Sequence, residues 1–312
     1  MKILVMGAGA VGGFYGSILQ MAGNDVTLVA RGDHLDEIKK SGLRIKSKSI
    51  GHFTSKLRAV SALNSNWNAD LILFTVKGFD NRDAIELIRP AVASDTIILT
   101  LQNGIGSGDE LRRSFSLSKV LLGVTYIDAH KPSPGIVVES GDDSGIVLGE
   151  TEDSNPDAVT SVHKVFNSAQ INARVSKMIQ VEVWNKLMFI CALSGMSCIV
   201  RAGFENVLDN PETRDLTIRV MREVESLAMA KGIILDSNVV QSTMDRLDDN
   251  KSTLTSSMYT DLENGNRLEI EVLNGAVSKY ASEIGLKTPV NDFITACLMV
   301  PHRAAIKRAN RS

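Results

Sequence analysis

Cysteine is scarce in this 312-residue chain: Cys191, Cys198 and Cys297 form an odd, scattered set. That excludes a disulfide framework and points to a reducing compartment. Neither sign of charge dominates. The 34 Lys and Arg against 36 Asp and Glu leave a formal net charge of −2, too little for a global field that would gather nucleic acid or anionic membrane. Any anion must therefore be held by a local site. Long hydrophobic runs are missing too. The longest, "LMFICALSGMSCIV", is broken by Ser194, Gly195 and Ser197 and falls short of the roughly 20 residues a bilayer crossing takes. The first strand candidate follows Met1 directly, leaving no room for a signal peptide, so a cytoplasmic protein is expected. The five histidines, at 34, 52, 130, 163 and 302, have no metal-ligand spacing, and no metal is expected.

What is present is the composition of a globular enzyme or binding protein, 44% hydrophobic and 22% charged. The first half alternates strand and helix patterns. Strand candidates are "KILVMG", "DVTLVA", "DLILFTV", "TIILTL" and "KVLLGVTYI", with helical segments at 10–22, 33–41, 80–89 and 107–114. Continuously apolar strands separated by helices predict an α/β fold with a doubly wound parallel sheet. "PGIVVESGDDSGIVLGE" reads as a hairpin that extends the sheet in antiparallel fashion. A helix over 155–168 and a last strand, "INARVS", follow. Beyond about residue 178 only helical patterns remain, near 179–200, 211–232, 236–248, 261–284 and 289–300. The expected organisation is a doubly wound α/β domain over 1–177 and an all-helical domain over 178–312, with the basic tail "HRAAIKRANRS" fraying.

Gly7-Ala8-Gly9-Ala10-Val11-Gly12 matches G-x-G-x-x-G between a strand and a helix. Gly7 allows the tight turn, Gly9 lets a pyrophosphate approach the backbone, and Gly12 allows helix and strand to pack closely. The helix amino end adds N–H donors. In this context the motif predicts a dinucleotide site; a glycine-rich turn without ligand is the alternative. The second strand ends in Ala30-Arg31, without the carboxylate that usually binds the ribose hydroxyls of NAD. A guanidinium there suits a 2′-phosphate and favours NADP, although Asp33 keeps NAD open. Lys77, after "ILFTV", and Asn103, in "LQNGIG", stand at carboxyl ends of predicted parallel strands, where such folds bind ligands. Turn chemistry is the alternative for each.

In the helical half, Lys186 begins an apolar stretch and, from the residues alone, reads as a lysine snorkelling from a helix flank. On a helix over 261–284, Glu269 aligns with Leu262, Leu273 and Ala276, whereas Glu271 aligns with Arg267 and Ser278. Glu269 is thus the carboxylate that faces inward, where it needs a partner, a wet cleft or a proton. Ser256 and Ser257 offer hydroxyls, or helix caps.

With "GAGAVGGFYG", Arg31, "TVKGFD", "LQNGIG", "GVTYIDAHKPSPGIV", "VWNKLMF" and "SSMYTDLENGNRLEIEVLNG" in view, the chain resembles the ketopantoate reductase (2-dehydropantoate 2-reductase) family along nearly its whole length. The twelve-residue spacing from Ser257 to Glu269 is the more specific feature. The resemblance implies a Rossmann domain followed by a helical domain like that of 6-phosphogluconate dehydrogenase. It also implies reduction of the 2-oxo group of ketopantoate by NADPH, on the route to pantothenate and coenzyme A. Lys186 and Glu269 then fall on catalytic positions; Asn103, Lys186, Ser194, Ser257 and Glu269 on substrate-binding ones; and Gly7 to Gly12, Arg31, Lys77 and Asn103 on cofactor-binding ones. A small 2-oxo acid is the expected partner, with no nucleic acid and no membrane, and a homodimer is carried as a candidate assembly. The chain departs from the family at Ile190, Ser194 and Leu254, where studied members have asparagine, and at Asp80, where some have glutamine. A more apolar 2-oxo acid is therefore the alternative substrate. A dinucleotide sensor without turnover is the alternative of another class.

Overall fold

The computed structural model describes residues 1–64, 67–115, 119–141, 144–149 and 156–309. The chain divides into two compact units. One comprises Met1–Gln102 and Ser107–Glu182, the other Asn103–Gly106 and Val183–Ser312.

The first unit runs β1 (Lys2–Met6), α1 (Ala10–Met21), β2 (Asp25–Val29), α2 (Gly32–Ser41), β3 (Leu43–Ser47), β4 (Gly51–Ser55), β5 (Arg58–Val60), β6 (Leu71–Phe74), α3 (Asn81–Ile88), β7 (Ile97–Thr100), α4 (Ser107–Ser114), β8 (Lys119–Thr125), β9 (Ala129–Ser133), β10 (Ile136–Glu139), β11 (Ile146–Gly149), α5 (Pro156–Ser168) and β12 (Ala173–Ser176). Eight strands form one sheet in the order β12-β11-β8-β7-β6-β1-β2-β5. All its pairs are parallel except β11 with β8. Ile3, Leu4, Val5, Ile72, Leu73, Ile98 and Leu99 are wholly buried, as continuous apolar strands with cover on both faces must be. The expected α/β doubly wound sheet is the fold found.

A second sheet, β4-β3-β10-β9, has no counterpart in the sequence reading. It also corrects the expected hairpin. β10 pairs with β3 and β9, while β11 joins the large sheet beside β8 and β12. The two halves of "PGIVVESGDDSGIVLGE" thus lie in different sheets; Asp142 and Asp143 of the expected turn fall outside the described residues. The extra sheet accounts for the surplus glycines after the motif. α1 packs against both β2 and β10, so it is buried on two sides. A Cβ on Gly13 would sit 3.1 Å from Leu43 and Val137 of the small sheet, and one on Gly16 would sit 3.1 Å from Val5 and Leu28 of the large sheet.

The second unit is helical: α6 (Ile179–Val200), α7 (Phe204–Asp209), α8 (Pro211–Ala230), α9 (Val239–Asn250), α10 (Ser257–Glu263), a single 3-10 turn Glu269–Val272, α11 (Asn274–Glu283) and α12 (Pro289–Ala309). The apolar run lies within α6, 22 residues long, and an 18-residue stretch of that helix has a mean hydropathy of 1.6, long and apolar enough to cross a membrane by length and composition alone, as the core helix of a globular unit also can be. Leu187, Met188, Cys191 and Ala192 on it are core residues. The helix expected over 261–284 is instead three pieces. Asn264-Gly265 breaks it, with Gly265 at φ +68°, a conformation that favours glycine. At the other end, α12 continues through Ala309 rather than fraying from His302.

Buried amides brace these helices. Asn274 Nδ2 donates to the Cys191 carbonyl at 3.2 Å and to Asn291 Oδ1 at 3.0 Å. Asn291 Nδ2 in turn donates to Glu223 at 2.7 Å. Glu223 also accepts the Val290 and Asn291 backbone N–H groups, each at 2.9 Å, and so satisfies donors at the start of α12. α6, α8, α11 and α12 are thereby tied around the turn that carries Glu269.

Candidate active site

In the first unit, the residues that would receive a dinucleotide follow β1, β2, β6 and β7. Gly7 has φ +106°, and a Cβ there would lie 2.9 Å from the Val76 nitrogen. A Cβ on Gly12 would lie 2.1 Å from the Gly7 carbonyl oxygen and 2.4 Å from Thr75 Oγ1. No larger residue fits either place. A Cβ on Gly9 would meet nothing within 4 Å, so this glycine borders open space and not packed protein. α1 begins there without a side-chain cap and with no acid in its first turn. Its amino end is a donor surface suited to an anion. These residues fit a pyrophosphate.

Two further groups hold the glycine turn, and both escape the sequence reading. Thr75 Oγ1 donates to the Gly7 carbonyl at 2.8 Å. His34 Nδ1 accepts the Gly135 N–H at 2.9 Å, and its Nε2 lies 2.6 Å from the Ala8 carbonyl. With Nδ1 accepting, Nε2 carries the proton. Burial keeps the ring neutral, pushing its pKa below the usual histidine value. Lys77 is half-buried at the end of β6. Gln102 links the exits of β6 and β7, donating to the Val76 carbonyl at 2.8 Å and Asn81 Oδ1 at 2.7 Å. Arg31 projects into solvent from the start of α2 and pairs with Asp80, Nη2 to Oδ2 at 2.8 Å.

The second unit brings Lys186 and Glu269 together. Lys186 lies half-buried on α6, and Glu269 is only 5% exposed at the head of its 3-10 turn. Glu271, two residues on, is half exposed on its side chain, so inward and outward carboxylates are as the spacing predicts despite the broken helix. Burial pushes the Lys186 ammonium down to about 8 against the attraction of Glu269, and the Arg246 cation pushes the same way as burial. A lysine brought from about 10.4 towards neutrality can hold or release a proton under ordinary conditions. Its charged surroundings are one buried carboxylate, Glu269, and one cation, Arg246, acting in opposite directions.

Arg246 carries no signal in the sequence. It stands on α9, and its guanidinium lies 4.6 Å over the ring of Phe189, one helical turn beyond Lys186. Thr243, one turn earlier on α9, touches Met188. Another supporting residue, His302, is buried on α12, and its Nδ1 accepts the Leu268 N–H at 3.0 Å. That fixes the backbone just ahead of Glu269.

The serines divide. Ser256 Oγ caps α10 by accepting the Tyr259 N–H at 3.1 Å, and it donates to Ser194 Oγ at 3.0 Å. Ser194 is 4% exposed, so its hydroxyl ties α6 to α10. Ser257 is exposed at the first position of α10. Ile190 and Leu254 are half-buried and pack on the helical core. Asn103 leads the segment counted with this unit, where the Ile105 N–H donates to the Val272 carbonyl at 3.3 Å. Val272 ends the Glu269 turn, so Asn103 comes to the same neighbourhood. A Cβ on Gly104 would stand 2.1 Å from that carbonyl oxygen, which requires glycine. The two buried cysteines, Cys191 and Cys198, are poor candidates for the chemistry. Burial pushes Cys191 well above the usual thiol range and Cys198 up to about 12, so neither supplies a thiolate.

Comparison with known proteins matches residues 3–153 to the family "Ketopantoate reductase PanE/ApbA" and residues 178–301 to "Ketopantoate reductase PanE/ApbA C terminal". A 2-dehydropantoate 2-reductase of Archaeoglobus fulgidus is 31% identical over 93% of this chain and 94% of its own length. One from Pyrococcus horikoshii is 29% identical over 95% and 96%. Among solved structures, a PanE/ApbA family ketopantoate reductase from Ralstonia eutropha JMP134 superposes with a TM-score of 0.89 at 30% identity, covering 98% of this chain and 99% of that one. A D-mandelate dehydrogenase in complex with NADH superposes at 0.88 with 25% identity, covering 98% and 100%.

Proposed function

Since this chain belongs to the ketopantoate reductase family of oxidoreductases, we propose that it is a cytoplasmic, NADPH-dependent 2-oxo acid reductase. Its proposed reaction is reduction of 2-dehydropantoate (ketopantoate) to (R)-pantoate, a step towards pantothenate and coenzyme A. The observation that carries the reading is the Lys186–Glu269 pair, with the amine near 8 and the carboxylate buried beside it. A sensor that only binds a dinucleotide needs neither group.

The residues then divide the work as follows. The Gly7–Gly12 turn and the amino end of α1 hold the pyrophosphate, and Arg31 takes the 2′-phosphate. When bound, the reduced nicotinamide supplies the hydride. Reduction of a ketone builds negative charge on its oxygen. Lys186, as the ammonium, stabilises that charge and donates the proton. Glu269 favours the charged amine and orients the substrate, with Ser257 and Asn103 as further polar contacts.

This assignment fixes a pH dependence. The productive form of Lys186 is protonated, so kcat/KM for reduction should be level below about pH 8 and fall about tenfold per unit above it. Glu269 raises the lysine's pKa and Arg246 lowers it. Glu269→Gln should therefore move the falling limb to lower pH, and Arg246→Gln to higher pH. Rate–pH profiles of the three proteins check this; a limb that stays put in both variants removes Lys186 as the proton donor.

A second reading rests on Ile190 and Leu254, half-buried against apolar neighbours, and on Ser194, whose hydroxyl meets Ser256. A pocket short of hydrogen-bond donors discriminates weakly between a hydroxyl-bearing substrate and an apolar analogue, by about 1–3 kcal/mol. The likeness to a D-mandelate dehydrogenase points the same way, towards 2-oxo acids with apolar side chains. NADPH oxidation across a panel containing ketopantoate, ketoisovalerate and phenylglyoxylate tests both readings. Ketopantoate should turn over, with ketoisovalerate within roughly one to two decades in kcat/KM. A preference for ketopantoate beyond about a thousandfold would retain the family reaction and dismiss the relaxed pocket. Intact NADPH binding with no turnover of any 2-oxo acid would favour the sensor.

A further inference from the structure

The Arg31–Asp80 ion pair occupies a telling place. In the large sheet β1 lies between β2 and β6. Arg31 follows β2, and Asp80 closes the 3-10 turn Gly78–Asp80 that follows β6. A bond between them at 2.8 Å passes across the carboxyl end of β1, where the glycine turn begins. The partners are unequal. The Arg31 side chain is 82% exposed and that of Asp80 19%, and the Asp80 backbone is fixed by its N–H donating to the Lys77 carbonyl at 2.8 Å. The carboxylate is therefore the anchored member and the guanidinium the movable one.

An exposed pair of this kind is weak and readily exchanged. A phosphate monoester carries between one and two negative charges and accepts a guanidinium through several oxygens. It can take Arg31 from Asp80, but it then sits near the carboxylate it has displaced, and like charges repel. A dinucleotide with a hydroxyl at the same carbon brings no such charge.

We propose that Asp80 sets coenzyme choice in this protein. By holding Arg31 it narrows the preference for a 2′-phosphorylated dinucleotide over an unphosphorylated one, and the phosphorylated coenzyme binds by exchanging the guanidinium's partner. The inference rests on the dinucleotide reading of the first unit and is independent of the substrate.

Dissociation constants for NADPH and NADH, and for the fragments 2′,5′-ADP and 5′-AMP, are measured by fluorescence and calorimetry. The proteins are the unaltered chain, Asp80→Asn and Asp80→Gln, with thermal unfolding as the folding control. Loss of the carboxylate should tighten NADPH and 2′,5′-ADP about five- to tenfold and leave NADH and 5′-AMP within about twofold. The gain should shrink as salt is raised. A folded variant that binds both dinucleotides with an unchanged ratio, or with NADPH weakened, overturns the inference alone. Failure of every protein to bind either dinucleotide overturns it together with the dinucleotide reading. Should one variant fail to fold, the other decides.

Discussion

Lys186→Ala is expected to lower kcat for 2-oxo acid reduction by about 100- to 10,000-fold, the range for losing a positioned proton donor. NADPH affinity should be unchanged, because Lys186 lies in the second unit and the glycine turn in the first. An amine that acts on charge present only in the transition state is felt in kcat and kcat/KM together. Lys186→Arg should recover little: a guanidinium remains charged throughout the working pH range and releases no proton. Single-turnover reduction and a coenzyme titration check both halves. A folded alanine variant with near-normal kcat would make the lysine a helix-flank residue whose stem merely covers apolar surface.

The next largest effect is expected at Arg31. Arg31→Ala should weaken NADPH about ten- to hundredfold, as befits a lost charge-assisted contact of about 1.5–3 kcal/mol. NADH binding should hardly change. Since the side chain is 82% exposed, no fold element depends on it, and the unfolding temperature should stay where it is. Equal weakening of both dinucleotides would assign Arg31 to the ribose or the loop rather than to the 2′-phosphate.

How far these residues were legible depends on whether their signal is local. The strands β1, β2, β6, β7 and β8 coincide with the apolar runs that predict them, because burial on both faces leaves an unbroken pattern. Gly7, Gly9 and Gly12 were readable because each answers a backbone demand within six residues. The second sheet was less so. "LRIKS" does alternate, with Leu43, Ile45 and Ser47 inward, but its partner β10 is about ninety residues away, and pairing at that range leaves no local trace. "IVVE" and "IVLG" look like two arms of one hairpin; only competition from β3 and β8 separates them. The Glu269 turn had a legible break in Asn264-Gly265, yet the apolar spacing alone argued for a continuous helix. Glu269 is buried all the same, on a 3-10 turn that starts afresh after the extended Leu268, so the outcome agrees with the helical spacing although no continuous helix carries it there. Arg246, Phe189 and His302 lay beyond reading. Each matters through the packing of one helix on another, and nothing in the adjacent sequence marks it.

The placement of Asn103–Gly106 has a consequence for how the chain is made. The second unit is not a contiguous stretch: its Val272 carbonyl is met by the Ile105 N–H, from far earlier in the chain. At about 5–20 residues per second, a ribosome delivers that N–H on the order of ten seconds before its acceptor exists. Until then the two glycines at 104 and 106 wait without the backbone and the Tyr280 ring that later crowd them. A gene fragment beginning near codon 178 would encode the helices without this insert. Such a fragment should be soluble only as far as water can stand in for four missing residues, so exchange of the helical half between family members must carry the insert with it to be inherited intact.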